Sequence, residues 1–301
     1  MPYLSRHGTM KPPLGAQIDP THPLAQGLIA AVVFNEGQGI PFVLPGPGAT
    51  VGRYLPNQLS QASGGFPATW VSSREGLGQQ FSTNQTYWLS DGGHGSGSDT
   101  WIPTTAMTVC VIRRKTDTTN RAGAMLGINN GAHDTRECTL YCPFSNGSVL
   151  FDFGGTASPN RLTVAGLSFS TVTPERFVFH AGPAGSALWQ NGVKVGSQAT
   201  AISRTGTTVS SAWEINGPFG GDNQEFYYLA AYNVQWSDDR CRWWSAEPYD
   251  HLWGSPMTYP GPSSSALLGA TAGASSVVAP SGHRSGFGSQ KPSRRLRGRR
   301  V

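Results

Sequence analysis

Short apolar runs alternate with glycine- and proline-rich stretches along most of the chain, at intervals of about 10 to 15 residues. Runs of this length and spacing are typical of strands in a β sandwich, whereas amphipathic helices need longer segments with a period of 3.6 residues. We therefore predict an all-β fold with about a dozen strands. The predicted strands are a first run from Leu28, a pair at 80–81 and 87–89 around a polar turn, and then 107–113, 124–128, 139–141, 149–153, 161–164, 177–180, 187–190, 193–195, 213–215 and 226–236.

The strongest local signal is a hairpin whose turn is the Asn-Gly pair at 191–192. Both residues tolerate the positive φ of a tight type I′ turn. This turn predicts that Trp189 lies opposite Lys194 and that Leu188 lies opposite Val195. Because side chains alternate across a strand, each pair occupies its own face. We interpret the Leu188 face as core and the Trp189 face as open to solvent or to a ligand.

The last predicted strand leads into a short helix. Alternation places one set of its residues on a single face: Phe226, Tyr228, Ala230, Tyr232, Val234 and Trp236. Ser237 then has the side chain of a helix N-cap, and Asp238 and Asp239 suit the first helical turn. Pro248 ends the helix, which we predict to be structural.

Composition agrees with many short strands, since only 13% of the residues are charged while 39 are glycine and 22 are proline. We expect an extended arm over 1–20, a folded domain over 21–257 and a disordered, Gly/Ser-rich and then Arg-rich tail over 258–301. The tail explains the net charge of +5, because residues 251–301 contain seven Lys and Arg and no acid.

The basic end of the tail suits nonspecific contact with nucleic acid or another acidic surface through charge alone. The alternative is a flexible, solubilising tail. The arginines concerned are Arg294, Arg295, Arg297, Arg299 and Arg300.

Other features concern the compartment of the protein. The four cysteines lack paired CxxC spacing, so buried thiols are expected and a zinc site is not. No apolar run approaches the roughly 20 residues that span a bilayer, and the first residues carry no apolar signal segment. We expect a cytoplasmic protein or, because particles leave cells by lysis, a virion component.

Several motifs, in this order, resemble the laminin-G-like jelly rolls of the concanavalin A-like lectin/glucanase superfamily. They are HPLAQGL at 22–28 with FNEGQG at 34–39, the aromatic strand at 81–89, LWQNGV at 188–193 and the closing segment at 231–249. Ser82 and Thr83 replace the Asp-Gly of the family's FDG-like turn. The resemblance covers residues 20–255. It implies a two-sheet antiparallel jelly-roll sandwich that serves as a non-catalytic module binding glycans or proteins, as in surface and phage structural proteins.

The alternative function is a polysaccharide-acting glycoside hydrolase of the same fold. Enzymes of this kind carry carboxylates on one strand in a pattern like ExDxxE, and a retaining glycosidase needs two carboxyl groups about 5 Å apart. None of the seven glutamates belongs to such a pattern. We therefore predict that the chain is not an enzyme.

The loop at residues 91–100 is the main candidate for ligand binding, because it combines polar groups with flanking tryptophans that suit sugar rings. A solvated turn with packed tryptophans is the alternative. We add the Trp189 ring, for which cover by the loops is the alternative to a binding role. The candidate ligand residues are Trp88, Asp91, His94, Asp99, Trp101 and Trp189.

A second loop places several oxygen ligands together at Asp222, Asn223 and Glu225. Calcium prefers such ligands and occurs in relatives of the resembled fold. The spacing is not that of a regular calcium loop, so the absence of any cofactor is the alternative.

Overall fold

The computed structural model describes residues 11–12, 16–37, 41, 43–47, 60–61, 68–82, 85, 87–89, 103–121, 125–128, 138–204, 213–217 and 221–252. The chain divides into two units, Met1–Pro256 and Met257–Val301, and every described residue belongs to the first. The tail and its arginines lie outside the described residues. The three predicted domain ranges therefore stay predictions.

The described part of the chain forms two antiparallel sheets and one α-helix, which confirms the predicted all-β sandwich. The strands are β1 Leu28–Val32, β2 Val43–Pro45, β3 Ser60–Gln61, β4 Thr69–Ser73, β5 Gly76–Phe81, β6 Tyr87–Leu89, β7 Met107–Lys115, β8 Leu126–Ile128, β9 Cys138–Tyr141, β10 Val149–Phe153, β11 Arg161–Val164, β12 Glu175–Gly182, β13 Gly185–Gln190, β14 Val193–Gln198, β15 Trp213–Ile215 and β16 Gln224–Tyr232. One sheet has nine strands in the order β14-β13-β12-β7-β16-β1-β2, with β5 also paired to β16 and β4 to β5. The other has seven strands in the order β11-β10-β9-β8-β15-β6-β3.

The predicted pairing of residues 80–81 with 87–89 is wrong. Strand β5 pairs with β4 and β16 in the nine-stranded sheet, whereas β6 pairs with β15 and β3 in the other sheet. The chain therefore passes from one sheet to the other between these strands. Alternating apolar residues fit either arrangement, because both sheets bury one face against the same core.

Aromatic side chains fill the space between the sheets. Phe179 of β12 meets Phe151 of β10 edge to face, with ring centroids 5.9 Å apart. Phe81 of β5 meets Tyr87 of β6 in the same way at 5.3 Å. All four side chains are buried, and each such ring contributes about 1.5–3 kcal/mol through burial. This inner core holds the two sheets together.

A second core lies on the outer face of the nine-stranded sheet, under helix α1 (Asp238–Ala246). The Ser237 hydroxyl accepts a hydrogen bond from the Arg240 N–H at 3.4 Å, which confirms the predicted N-cap. Cys241 and Trp244 face inward and are fully buried. In the described part of the chain, no helix is long and apolar enough to cross a membrane.

A β-bulge makes the predicted single-face set in the last strand wrong. Phe226 pairs with Arg113 and Tyr228 with Ile112, so Tyr227 is an extra residue. Phe226 therefore packs in the inner core and Tyr228 in the outer one. One inserted residue reverses the alternation that follows it. The strand also ends at Tyr232 rather than at residue 236.

The predicted hairpin is confirmed at its turn, where Asn191 and Gly192 have φ of 51° and 82°. Trp189 pairs with Lys194 as predicted. Leu188 pairs with Gly196 and not with Val195, because the register of this strand pair shifts between Leu188 and Trp189. Leu188 and Val195 nonetheless both pack on the inner core.

The cysteines are free and buried, as expected from their spacing. Burial raises the pKa of Cys110 and Cys142. These thiols therefore act as small apolar side chains in the cores.

Candidate functional site

A cleft of about 510 Å³ opens on the outer face of the nine-stranded sheet, beside the N-terminal end of α1. Its floor is formed by His180, Ala187 and Ser197, which lie in register on the neighbouring strands β12, β13 and β14. Short side chains at two of these positions leave the space open. The volume falls within the range of about 300–1,000 Å³ that is usual for ligand sites. We call this space the outer cleft.

The loop between β16 and α1 forms one wall of the outer cleft. The Thr108 hydroxyl anchors it, donating to the Val234 carbonyl at 2.7 Å and accepting from the Trp236 N–H at 3.2 Å. The Trp236 ring is held between Tyr232, at a centroid distance of 4.5 Å, and the Arg240 guanidinium at 4.4 Å. The wall is therefore fixed to strands β7 and β16.

Gln235 fixes which ring nitrogen of neutral His180 carries the proton. Its Oε1 accepts from the Ala184 N–H at 2.9 Å and its Nε2 donates to the Gly185 carbonyl at 2.8 Å, so two backbone groups fix the orientation of the amide. The same Nε2 lies 3.2 Å from Nδ1 of His180. Nδ1 must then be an acceptor, and the imidazole proton resides on Nε2.

His180 is neutral at physiological pH. Burial lowers its pKa to about 4, with Asp238 opposing this shift and Lys194 adding to it. The side chain is 7% exposed, and its Nε2 has no hydrogen-bond partner within the described residues. A buried N–H without a partner costs free energy, which a ligand oxygen at this position would recover.

An ion pair stands at the mouth of the outer cleft. The Lys194 ammonium lies 2.6 Å from Oδ2 of Asp238, and both side chains are partly exposed. The ammonium also lies 5.3 Å from the centre of the Trp189 ring. An exposed pair of this kind adds little stability, but it cancels the charge at the entrance.

The predicted open face at Trp189 is wrong. The ring is 1% exposed, and the Arg242 guanidinium lies over it at 5.2 Å. Helix α1 covers this part of the sheet, because the apolar residues of the outer core need burial as much as those between the sheets. Trp189 therefore lies next to the outer cleft without lining it, and a direct ligand contact by Trp189 stays a prediction.

The predicted ligand loop stays untested. Trp88 belongs to β6, where it pairs with Ser60 on one side and Glu214 on the other. The remaining candidates lie outside the described residues: Asp91, His94, Asp99 and Trp101.

Two carboxylates occupy one row across the seven-stranded sheet. Asp152 pairs with Thr139 and Glu214 with Gly127, on strands β10, β9, β15 and β8 in the order β10-β9-β8-β15. Three strand spacings separate the two acids, which places their backbones about 14 Å apart. Asp152 also accepts two hydrogen bonds from Arg161, both of 2.5 Å. Glycosidases need carboxyl separations of about 5–9.5 Å, which is shorter than this backbone separation.

The first two residues of the predicted calcium loop already bond to other side chains. The Asp222 carboxylate lies 2.7 Å from both Lys115 and Arg121. The Asn223 amide donates to Asp117 at 2.8 Å. The hydrogen bond from Arg121 lowers the pKa of Asp117 to about 2, so this carboxylate stays ionised over a wide pH range.

Glu225, the third residue predicted for calcium, is also engaged. Its carboxylate receives two hydrogen bonds from Arg114, of 2.6 and 2.8 Å, and a third from the Tyr227 hydroxyl. Burial, followed by this bond, raises the pKa of Tyr227 to about 12. The part of the chain that the structure describes contains no group of three or more His, Cys, Asp or Glu able to hold a metal ion. The calcium site stays a prediction that requires these ion pairs to open.

Sequence reasoning missed the outer cleft. Its key residues, His180 and Gln235, are 55 positions apart, and no motif links them. The single local sign was a histidine on the outward-facing side of an otherwise apolar strand.

Many solved structures resemble this fold, whereas no family model and no curated protein matches the sequence. Domain 4 of AbnA, a GH43 extracellular arabinanase from Geobacillus stearothermophilus in complex with arabinotriose, gives a TM-score of 0.53 at 13% identity, over 71% of this chain and 96% of that chain. The binding domain of Paraclostridial Mosquitocidal Protein 1 gives 0.52 at 11% identity, over 77% of this chain and 56% of that chain. The chain shares their β-sandwich fold. The laminin-G-like assignment stays a prediction.

Proposed function

We propose that this chain is a non-catalytic module that binds glycans in the outer cleft. The observation that carries the proposal is the Nε2–H of His180, which has no partner within the described residues and belongs to a side chain that lines the open cleft. The atom itself is closed to solvent, so a ligand reaches it after a small rotation of the ring. Sugar hydroxyls supply the oxygen acceptor that this donor lacks. The Ser197 and Ser237 hydroxyls, also in the cleft lining, offer further hydrogen bonds.

The compared structures support the proposal at the level of the fold. The arabinanase domain was solved in complex with arabinotriose, and the mosquitocidal protein region is a binding domain. Both are parts of larger proteins whose sandwich serves as a module. Protein binding is the other function that the sequence predicts as an alternative. A protein partner would need a larger surface than the outer cleft.

The hydrolase alternative is weaker in geometry. The Asp152 and Glu214 backbones lie about 14 Å apart, and the Asp152 carboxylate is already paired with Arg161. Release of reducing sugar from β-glucans by the full chain, lost in Glu214→Gln, would establish the enzyme and refute the non-catalytic proposal.

We further propose that the module belongs to a virus particle, in line with its resemblance to modules of phage structural proteins. Mass spectrometry of purified particles tests this directly. Detection of the chain at a fixed copy number supports the proposal, and its absence from particles that carry all other structural proteins refutes it.

A glycan array with the full chain tests the binding proposal. We expect at least one glycan to bind, and Ser197→Trp, which fills the cleft from an exposed floor position, to abolish that binding. Val172→Thr is the control, since Val172 is 76% exposed and does not line the cleft. Equal binding by the Ser197→Trp variant would place the glycan site elsewhere and refute the proposal.

A further inference from the structure

The charges of the outer cleft cancel. Among the described residues, Lys194 and Asp238 are the two side chains lining it that carry a full charge at neutral pH, and they lie 2.6 Å apart. Beside them, Asp239 likewise accepts a hydrogen bond from Arg242 at 2.8 Å. The third titratable group of the lining, His180, stays neutral because burial lowers its pKa to about 4.

The hydrogen-bonding groups also favour an uncharged ligand. A sugar hydroxyl accepts from the Nε2–H of His180 and at the same time donates to an oxygen such as that of Ser197. A carboxylate or sulfate only accepts, and in this cleft it would lose water without gaining an unpaired cation. Lys194 does not serve as that cation while Asp238 occupies it.

We infer that the outer cleft selects an uncharged sugar and excludes acidic sugars because Asp238 neutralises Lys194. One sugar hydroxyl would accept from His180 Nε2 after a small rotation of the ring exposes that atom to the cleft. This inference rests on the proposed glycan binding and names its ligand class. His180 is then a binding residue, and Asp238 is a specificity-determining residue.

The test compares neutral oligosaccharides with their uronate, sialylated and sulfated counterparts on one array, followed by titration of the full chain with arabinotriose and with trigalacturonate. We expect cleft binding of the neutral member to be tighter by about tenfold or more, which is about 1.4 kcal/mol. Raising salt from about 50 to 500 mM should change the neutral affinity less than about twofold, because no ion pair forms.

Variants separate the cleft from the basic tail, which can attract acidic sugars by charge. The component of binding that Ser197→Trp removes is assigned to the cleft. His180→Leu should weaken it about tenfold or more, whereas His180→Gln, which keeps an N–H, should weaken it less. Melting temperatures of both variants show whether they remain folded, and Val172→Thr is again the neutral control.

Asp238→Asn gives the decisive arm, because it frees Lys194 while leaving the cleft floor intact. We expect this variant to gain salt-sensitive binding of trigalacturonate. The inference is overturned if the wild-type cleft binds trigalacturonate more tightly than arabinotriose, or if Asp238→Asn does not increase trigalacturonate binding. Either result leaves the proposed function standing. If no glycan of either class shows binding that Ser197→Trp removes, the proposed function fails, and the inference fails with it.

Discussion

Acid should destabilise this protein through His251 well before its carboxylates titrate. The imidazole is fully buried in the outer core, with Nε2 at 3.1 Å from the Tyr228 hydroxyl. Burial, with smaller contributions from His22 and Arg240, lowers its pKa to about 3. Unfolded histidine has a pKa of about 6.5, so the unfolded chain binds a proton at pH 5 that the folded chain does not.

The sign and size of the effect follow from this difference. Stability is fully present above about pH 6.5 and is lost as the pH falls towards the folded pKa. Between about pH 6.5 and pH 5, the contribution of His251 to stability falls by about 1.4 kcal/mol per pH unit, which gives a loss of about 2 kcal/mol. His180, with its pKa lowered to about 4, adds a loss of similar size. The wild-type protein should therefore lose about 4 kcal/mol between pH 7 and pH 5 from these two groups.

Denaturant unfolding at pH 7 and pH 5 measures this loss in the wild type and in His251→Asn. The variant removes one titrating group, so we expect its loss between the two pH values to be smaller by about 2 kcal/mol, or about 4–8 °C in melting temperature. Comparing the pH difference cancels the cost of the substitution itself. The reasoning is refuted if His251→Asn keeps the whole wild-type loss, or if NMR shows the His251 ring titrating above about pH 5.

Three further predictions concern the backbone, a buried ion pair and the tail. Gly185→Ala should lower the free energy of unfolding by more than about 2 kcal/mol, because φ is +93° and a Cβ would lie 1.9 Å from a carbonyl oxygen of β14. Gly166→Ala, at φ +76° with open space around it, is the matched control. Equal losses of stability for the two variants in urea unfolding would contradict the argument. Glu225→Gln should lower the free energy of unfolding by about 1–3 kcal/mol, because it leaves Arg114 without its carboxylate. Asp239→Asn, in an exposed pair, should change it by less than about 0.5 kcal/mol. Similar values for both variants would show that burial does not matter here. Deleting residues 261–301 should lower the melting temperature by less than about 4 °C and abolish any salt-sensitive DNA binding. DNA binding that survives the deletion would place the nucleic-acid site on the sandwich.

Local signals in the sequence were sufficient for the individual elements. The Asn-Gly turn at 191–192 and the N-cap at Ser237 depend on residues within a few positions of each other, and both form as predicted. The apolar runs from Met107 onward correspond to strands because each must bury one face or both. Nothing in those runs states which sheet a strand joins, which is why β5 and β6 were paired wrongly.

The candidate site was less accessible to prediction than the fold. The alternation rule placed Trp189 and Lys194 on one face correctly, but it did not show that α1 would cover the ring. The outer cleft depends on a histidine of β12 and a glutamine that follows β16, brought together by tertiary packing. Neither residue belongs to a motif that a single sequence reveals.

By itself the sequence determined the class of the fold, the strands from Met107 onward, one hairpin turn and one capped helix, because these follow from periodicity and from residues close in the chain. Strands β2 and β3 were not predicted, because their region is rich in Gly, Pro and Ser. Only the tertiary structure decided the bulge at Tyr227, the division of strands between sheets and the position of α1 over the second core. The physical reason is that one face of a strand needs cover of the right shape, and many distant segments can supply it. The outer cleft exists where that cover stops at the end of α1, leaving His180 beside open space.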